Sequence, residues 1–288
     1  MRLASYNIQF GRGRDARVDL ARIAGELAGA DLIALQEVER YWRRSGLVDQ
    51  PVELAQRLGM PYWVYGPGVD LHLDAASADV PAGARRQFGN MLLARTPLLF
   101  SRNHLLPKYA STGPMSLQRS ALEAVVMTAA GPLRVYSVHL THLSAQTRLP
   151  QVHRLLQIHR EACVEGAPLA CGAIAQEWVD AGLPVAMPRE AVIMGDFNME
   201  PGSTEYEAMV GPASPYGGRL GNPEGLIDAW VCAGHDEAAG VTADIKGRPV
   251  RFDYCFVSTA LAGRVHAARI DAGAVGSDHQ PIWVEMDL

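Results

Sequence analysis

The sequence predicts an α/β fold, on three observations. An apolar strand, a helix-spaced stretch and a second apolar strand follow one another over residues 2–37, and short apolar runs split by turn pairs fill the middle of the chain. Of the 288 residues 48% are hydrophobic, enough for one large core or two small ones. No linker, repeat or low-complexity tract divides the chain, so residues 1–288 are expected to form a single domain.

Each element has its own signal. Residues 2 to 8 read as a strand that breaks at Gly11-Arg12-Gly13-Arg14, with Asn7 at its end. Val18, Leu20, Ile23, Ala24 and Leu27 recur at helical spacing, and Leu32-Ile33-Ala34-Leu35 is a second strand running into Gln36-Glu37. A helix over Val52 to Leu58 leads to the aromatic strand Tyr62 to Tyr65. From Gly66 to Arg86 the period fades into Gly, Pro, Ala and Asp, which predicts a long surface loop placed to cover a substrate. Phe88 to Ala94, Leu98 to Leu106, Ser120 to Met127 and Leu133 to Leu140 read as antiparallel strands, the last carrying His139 and His142 at its terminus. A helix from about Gln146 to Cys163 follows. Gly166 to Pro188, with a short helix at Ile174 to Ala181, is expected to help shape the pocket. The final pieces are helical turns at Thr204 to Val210, the short segment Leu226 to Trp230 and strands at Arg251 to Val257, Val265 to Ile270 and Pro281 to Met286.

Ala191 to Asn198 carries the chemistry most openly. A buried strand runs through Gly195 and then presents Asp196 and Asn198, which extended alternation would place on one face while Phe197 turns into the core. Gly195 leaves room for close approach. Taken alone, such a stretch is more often an Asx turn than a site.

The rest of the chain changes that weighing. Asn7, Glu37, His139, Asp196, Asn198, Asp253, Asp278 and His279 all stand at strand ends or in short strands bounded by turns, where α/β proteins build sites. Their carboxylate and carboxamide oxygens suit Mg²⁺ or Mn²⁺ beside a substrate phosphate. Histidine paired with aspartate suits a base or a charge-stabilising donor. No serine or cysteine sits in a nucleophile elbow, so an activated water is the expected attacker.

Composition narrows the partners. The formal net charge is −5, and Lys108 and Lys246 are the only lysines among 26 basic residues. Only short pairs, Arg43-Arg44 and Arg85-Arg86, break the arginine distribution, so nucleic acid is possible but not favoured. The four cysteines have neither CxxC spacing nor the look of a disulfide framework. No apolar run spans a bilayer, and the chain begins directly with a strand where a leader would stand, so a cytoplasmic enzyme is expected.

The ordered set Tyr6-Asn7-Ile8 with Gly11, Leu35-Gln36-Glu37, Gly89-Asn90, Val138-His139-Leu140, Gly195-Asp196-Phe197-Asn198, Asp253-Tyr254 and Ser277-Asp278-His279 resembles the endonuclease/exonuclease/phosphatase superfamily over the entire chain. The resemblance implies a four-layer α/β sandwich, two mixed sheets face to face with helices outside, and a Mg²⁺-dependent phosphoester hydrolase. It implies that Glu37 holds the metal with Asn7 and Asp278. Asp196 would orient or deprotonate water, and Asn198 would fix that water or a phosphate oxygen. His279, backed by Asp253, would neutralise phosphate, and His139 would donate to a second phosphate oxygen. For Asp253 the competing reading is a strand residue paired to Arg251. Asn90, His142 and Arg119 are candidates for substrate contact, set against backbone satisfaction for Asn90 and surface positions for the other two. His142, Arg148 and Gln151 together resemble the small-molecule and lipid side of the superfamily, while Asp228 and Trp230 fit a cleft wall or a cap and core aromatic equally. The favoured substrate is a small or lipid-derived phosphoester; a DNA-repair or RNA-processing nuclease and a catalytically dead binding module are the alternatives.

Overall fold

A computed structural model of the chain describes residues 1–73, 80–181 and 185–288. In chain order the elements are β1 (Arg2–Asn7), α1 (Leu20–Glu26), β2 (Leu32–Arg40), α2 (Gln50–Leu58), β3 (Tyr62–His72), β4 (Arg85–Ala94), β5 (Leu98–Leu105), β6 (Ser120–Thr128) and β7 (Gly131–His139). There follow α3 (Ala145–Glu165), β8 (Ala191–Asp196), α4 (Thr204–Val210), β9 (Leu226–Asp228), α5 (Ala229–Cys232), the small hairpin β10 (Ala243–Ile245) and β11 (Arg248–Val250), then β12 (Asp253–Ser258), β13 (Val265–Ile270) and β14 (Ile282–Met286).

The strands form two mixed six-stranded sheets, ordered β13-β14-β1-β2-β4-β3 and β5-β6-β7-β8-β12-β9. Each has one parallel pair, β1/β2 and β7/β8. A parallel pair needs a crossover, and α1 and α3 supply them. Both helices begin where the sequence offers a cap: Asp19 accepts from the Arg22 amide and Ser144 from the Thr147 amide.

Alternation along the strands builds the layers. Leu32, Ala34, Leu92 and Ala94 of the first sheet meet Leu122, Ala124, Val135, Val192 and Met194 of the second in a shared core. The opposite faces take the helices, with Ile33, Leu35 and Met91 against Ile23 and Leu54, and Tyr136, Val138 and Ile193 against Val152, Leu155 and Tyr206. Strands buried on both faces read as continuous apolar runs, which is why β7 and β8 are so plain in the sequence. The expected four-layer sandwich is therefore the observed one. Among the described residues no helix is long and apolar enough to cross a membrane. The cysteines are all free, Cys255 in the inter-sheet core and Cys163 and Cys171 exposed.

Three expectations change. The predicted loop from Gly66 to Arg86 is largely sheet: β3 continues to His72 and β4 starts at Arg85, while residues 74–79 of that segment lie outside the described ones. Its period is broken because β3 is an edge strand, where Pro67 is tolerated, and because a bulge falls between Pro67 and Val69. Gly68 has no alternative there, since a Cβ would lie 2.3 Å from the Gln118 carbonyl oxygen. Of the segment 166–188, residues 182–184 lie outside the described ones, and its two described ends lie away from Asp196, Gly166 against Arg102 of β5. Met187 packs on Val125 and Ala162, and the chain then enters β8 at Ala191, about 17 Å along the strand from Asp196. Its short helix is a 3-10 turn, Gln176–Ala181. Finally, Asp228 and Trp230 are structural. Asp228 caps α5 through the Trp230 amide and accepts from Arg251 Nη1 at 2.7 Å and Tyr206 Oη at 3.1 Å.

Candidate active site

The carboxyl ends of both parallel pairs open at the same end of the sandwich. In the second sheet His139, Asp196 and Asp253 are aligned side by side across β7, β8 and β12. In the first, Asn7 ends β1 beside Gln36 of β2. A polar layer lies just beneath: Gln36 Nε2 donates to Ser137 Oγ at 3.0 Å, and Asn90 Nδ2 donates to the Ser120 and Ser137 carbonyl oxygens at 2.8 and 3.2 Å. These bonds cross from one sheet to the other. Asn90 thus spends its donor on backbone, and its expected substrate contact gives way to a tie between sheets.

The backbone re-aims two side chains. Glu37 is not a strand-end residue as expected; it lies inside β2 on a bulge between Leu35 and Val38, with φ of 60°. A bulge turns one side chain out of the alternation, and here it is the carboxylate. β8 stops at Asp196, and Asn198 takes φ of 51°, its amide donating to Asp196 Oδ1 at 2.9 Å. Asp196 and Asn198 therefore share a site through an Asx turn, not through extended alternation. Phe197 does face the core, edge-on to Tyr254 and Phe256. Gly195 has φ of 153°, and a Cβ there would lie 1.9 Å from the Val138 carbonyl oxygen. Gly195→Ala is expected to cost about 3 kcal/mol, read by denaturant unfolding; a variant as stable as the parent would contradict the close approach.

Asp196 is the hub. Its Oδ2 accepts from Asn7 Nδ2 at 2.9 Å and lies 3.3 Å from His139 Nε2 and 3.8 Å from His279 Nε2. Burial opposes its ionisation, but His139, His279 and the Asn7 amide outweigh burial and hold the carboxyl well below the usual range. His279 Nδ1 faces Asp253 Oδ2 at 2.7 Å. Burial would strip its proton; Asp253 and Asp196 on either side outweigh that and raise it to about 10. Burial also pushes Asp253 up to about 6. The shared proton belongs on the imidazole, which has a carboxylate at each nitrogen, so His279 is a cation at neutral pH. The alternative partner for Asp253 is excluded, because Arg251 is committed to Asp228.

His139 is opposite in character. Burial and the adjacent Arg119 lower it to about 4, so it is neutral. Arg119, expected on the surface or at a phosphate, is 5% exposed and points between His139 and His142. His142 is exposed. Arg148 and Gln151 are ties and not site groups: Arg148 pairs with buried Glu205 at 3.0 Å, and Gln151 takes the Thr141 amide and donates to the Pro107 carbonyl. Gln9 was not visible as a site residue. Its amide donates to Asn7 Oδ1 and its Nε2 to Asp278 Oδ2 at 2.7 Å, joining two of the expected metal-side residues. Ser277 Oγ donates to the Asn7 carbonyl, fixing the Asp278 turn. On the rim, the arginine pairs contribute one member each: Arg86 lies over Trp42, and Arg44, paired with buried Glu39, lies over Trp42 and Phe10.

Two groups come into question for a cation. Asp196, Asp253 and His279 have ligand atoms within 4.8 Å of one another. Asp196 Oδ2 and Asp253 Oδ2, however, already face the Asn7 amide and His279, and His279 carries positive charge; within this group Asp253 Oδ1 is buried without a hydrogen-bond partner among the described residues. Glu37 fits better. Among the described residues nothing hydrogen-bonds or ion-pairs with its carboxylate; burial pushes that carboxyl up, Asp196 and Asp278 add to this, and Arg119 and His279 offset only part. A carboxylate short of donors, with amide and carboxylate oxygens of Asn7 and Asp278 nearby, is a hard-cation donor set.

A four-layer sandwich with carboxylates, amides and imidazoles gathered at one end of two sheets is the architecture of a hydrolase that works on phosphoesters. The chain belongs to the Endonuclease/Exonuclease/phosphatase family, whose model matches residues 4–279. It is a phosphoester hydrolase by that membership. Among solved structures it is similar to an endonuclease/exonuclease/phosphatase from Beutenbergia cavernae, at 21% identity and a TM-score of 0.66 over 99% of this chain and 70% of that one. It is also similar to a Bacteroides thetaiotaomicron mannosyl-6-phosphatase, at 16% identity and TM-score 0.59 over all of both chains. Truncated TDP2 from Caenorhabditis elegans follows at 15% and 0.55, over 98% of this chain and 95% of that one. These similarities carry the fold. No curated protein matches the chain by sequence.

Proposed function

We propose that the chain hydrolyses a small or lipid-derived phosphoester by in-line attack of water, with Mg²⁺ or Mn²⁺ held by Glu37, Asn7 and Asp278. The carrying observation is the contrast between Asp196, saturated with donors, and Glu37, which has none among the described residues. Family members generally depend on a divalent metal, and a cation at Glu37 would neutralise charge on the phosphate and make bound water more acidic. Asp196 orients the attacking water; a carboxyl held so far below neutrality is a poor proton acceptor, so orientation is its larger contribution. Asn198 steadies the same water or a phosphate oxygen. His279, kept cationic by Asp253, binds the phosphate and gains most as charge builds in the transition state. His139, neutral and buried, places its one N–H beside Asp196 Oδ2 and so holds that carboxylate in position toward the water. A single domain over residues 1–288 and a cytoplasmic location belong to the same reading.

A nuclease of the same family is the second reading, and the rim supports it. Arginines stacked on Trp42 and Phe10 are the kind of surface on which bases and phosphates lie. The acidic balance and the neutralisation of Arg44 by Glu39 weigh the other way. A panel of sugar phosphates, glycerophosphodiesters, sphingomyelin, and single-stranded and abasic oligonucleotides, each with Mg²⁺ and with Mn²⁺, decides between them. Faster turnover of small phosphoesters is expected. Oligonucleotide cleavage with steep salt dependence, and none of the others turned over, would replace the first reading with the second.

A further inference from the structure

Arg119, the residue before β6, is one of the least exposed charges in the molecule, and among the described residues no carboxylate lies within ion-pairing distance of it. Its guanidinium meets two imidazoles instead: Nη1 lies 3.0 Å from His139 Nδ1 and Nη2 lies 3.4 Å from His142 Nδ1. A guanidinium has five N–H donors and no acceptor. Each facing Nδ1 must therefore accept, and each ring must carry its proton on Nε2.

We propose that Arg119 is a positioning residue that sets the tautomer of both histidines, making His139 and His142 neutral Nε2–H donors, and that it does not itself bind substrate. The Asp196 side of the network agrees with this assignment, and the Asn198 side can be satisfied elsewhere. With Nε2 protonated, His139 donates to Asp196 Oδ2 at 3.3 Å. Asn198 Nδ2, also 3.3 Å from that nitrogen, would then face donor with donor, and it has its own acceptor in the Leu140 carbonyl at 3.1 Å. The opposite tautomer would set Nδ1–H against the guanidinium and leave Asp196 without one of its donors. A second positive charge on either ring is disfavoured by burial and by Arg119 itself, both of which lower His139 and His142. The site thus holds imidazoles of two kinds: His279, a cation between carboxylates, and the Arg119 pair, neutral donors. His142, the exposed member, directs its Nε2 away from the guanidinium and is the one open to the substrate.

The assignment rests on the proposed function only for its kinetic part. In ¹⁵N imidazole spectra of the full chain at neutral pH, assigned with single His→Gln variants, His139 and His142 are expected as neutral Nε2–H tautomers. An Nδ1–H or doubly protonated His139 would overturn the proposal whatever the enzyme turns over. R119M is expected to mix the tautomers and to lower kcat about 10²-fold with KM within about twofold; R119K, still a donor without an acceptor, is expected to keep the tautomers and recover part of kcat. A raised KM with unchanged kcat and unchanged tautomers in R119M would mean that Arg119 binds the phosphate, and would refute the positioning role. Should R119M fail to fold, the wild-type spectrum and R119K still decide. A wild type inactive on every phosphoester would remove the proposed function and leave the tautomer result standing.

Discussion

Asp196→Asn is expected to lower kcat about 10³-fold while the protein stays folded. The substitution keeps the shape and removes the charge. It takes the counter-charge from His279 Nε2, so that cation loses one of the two carboxylates that raise it. It also disrupts the water-facing geometry, because Asp196 is only an acceptor in the native site: from Asn7 and His139 on one oxygen, and from the Asn198 amide on the other. Whichever way the new amide is turned, one of its N–H groups meets another donor, at a stability cost of about 1–3 kcal/mol. Steady-state kinetics at saturating metal, with thermal unfolding as the control for folding, read both effects. Turnover within tenfold of the parent would remove Asp196 from the chemistry.

Glu37→Gln has the second large effect, and stability reveals it as well as rate. In the metal-free protein the Glu37 carboxylate is desolvated and close to Asp196 and Asp278, and among the described residues it has no donor. Neutralising it is expected to leave metal-free stability equal or higher. Added Mg²⁺ or Mn²⁺ is expected to raise the unfolding temperature of the wild type, with a gain of about 2.7 kcal/mol at a hundredfold excess over Kd, and to leave Glu37→Gln unchanged. Turnover by the variant should demand far more metal. A variant whose unfolding temperature rose with metal as the parent's does would place the cation elsewhere, with Asp196, Asp253 and His279 as the next candidates.

Why so much of this site was legible in the sequence has a physical answer. Asn7, His139, Asp196 and Asp253 stand where apolar runs end, and a run buried on both faces ends only where the sheet does. The same regularity hid other residues. Glu37 looks like the end of a strand because a bulge in mid-strand has no periodic signature. For Asp196-Phe197-Asn198 an Asx turn and a site look like rival readings, whereas the structure holds both at once, with Asn198 at φ of 51°. Arg119, Gln9 and Asn90 are defined by partners at long range: Arg119 by His139, Gln9 by Asp278, and Asn90 by Ser120 and Ser137 across the sheet interface. Local composition carries no information about such pairs. The outer part of the edge strand β3 is hidden for a related reason, since Gly68 answers to the Gln118 carbonyl of a neighbouring loop and Gly66 to Asn103 and Leu122 of the other sheet. Arg148 and Gln151 mislead in the opposite direction, because their spacing after His139 looks functional while their side chains brace the turn.

The central claim is that a divalent cation and Asp196 act together on a phosphoester. Hydrolysis of bis-p-nitrophenyl phosphate by the wild type and by Asp196→Asn, each with Mg²⁺, with Mn²⁺ and with EDTA, tests it most directly. Turnover by the wild type that EDTA abolishes and added metal restores, with Asp196→Asn near background throughout, is the predicted result. Wild-type turnover that survives EDTA, or an Asp196→Asn variant that keeps pace with the parent in metal, would contradict it.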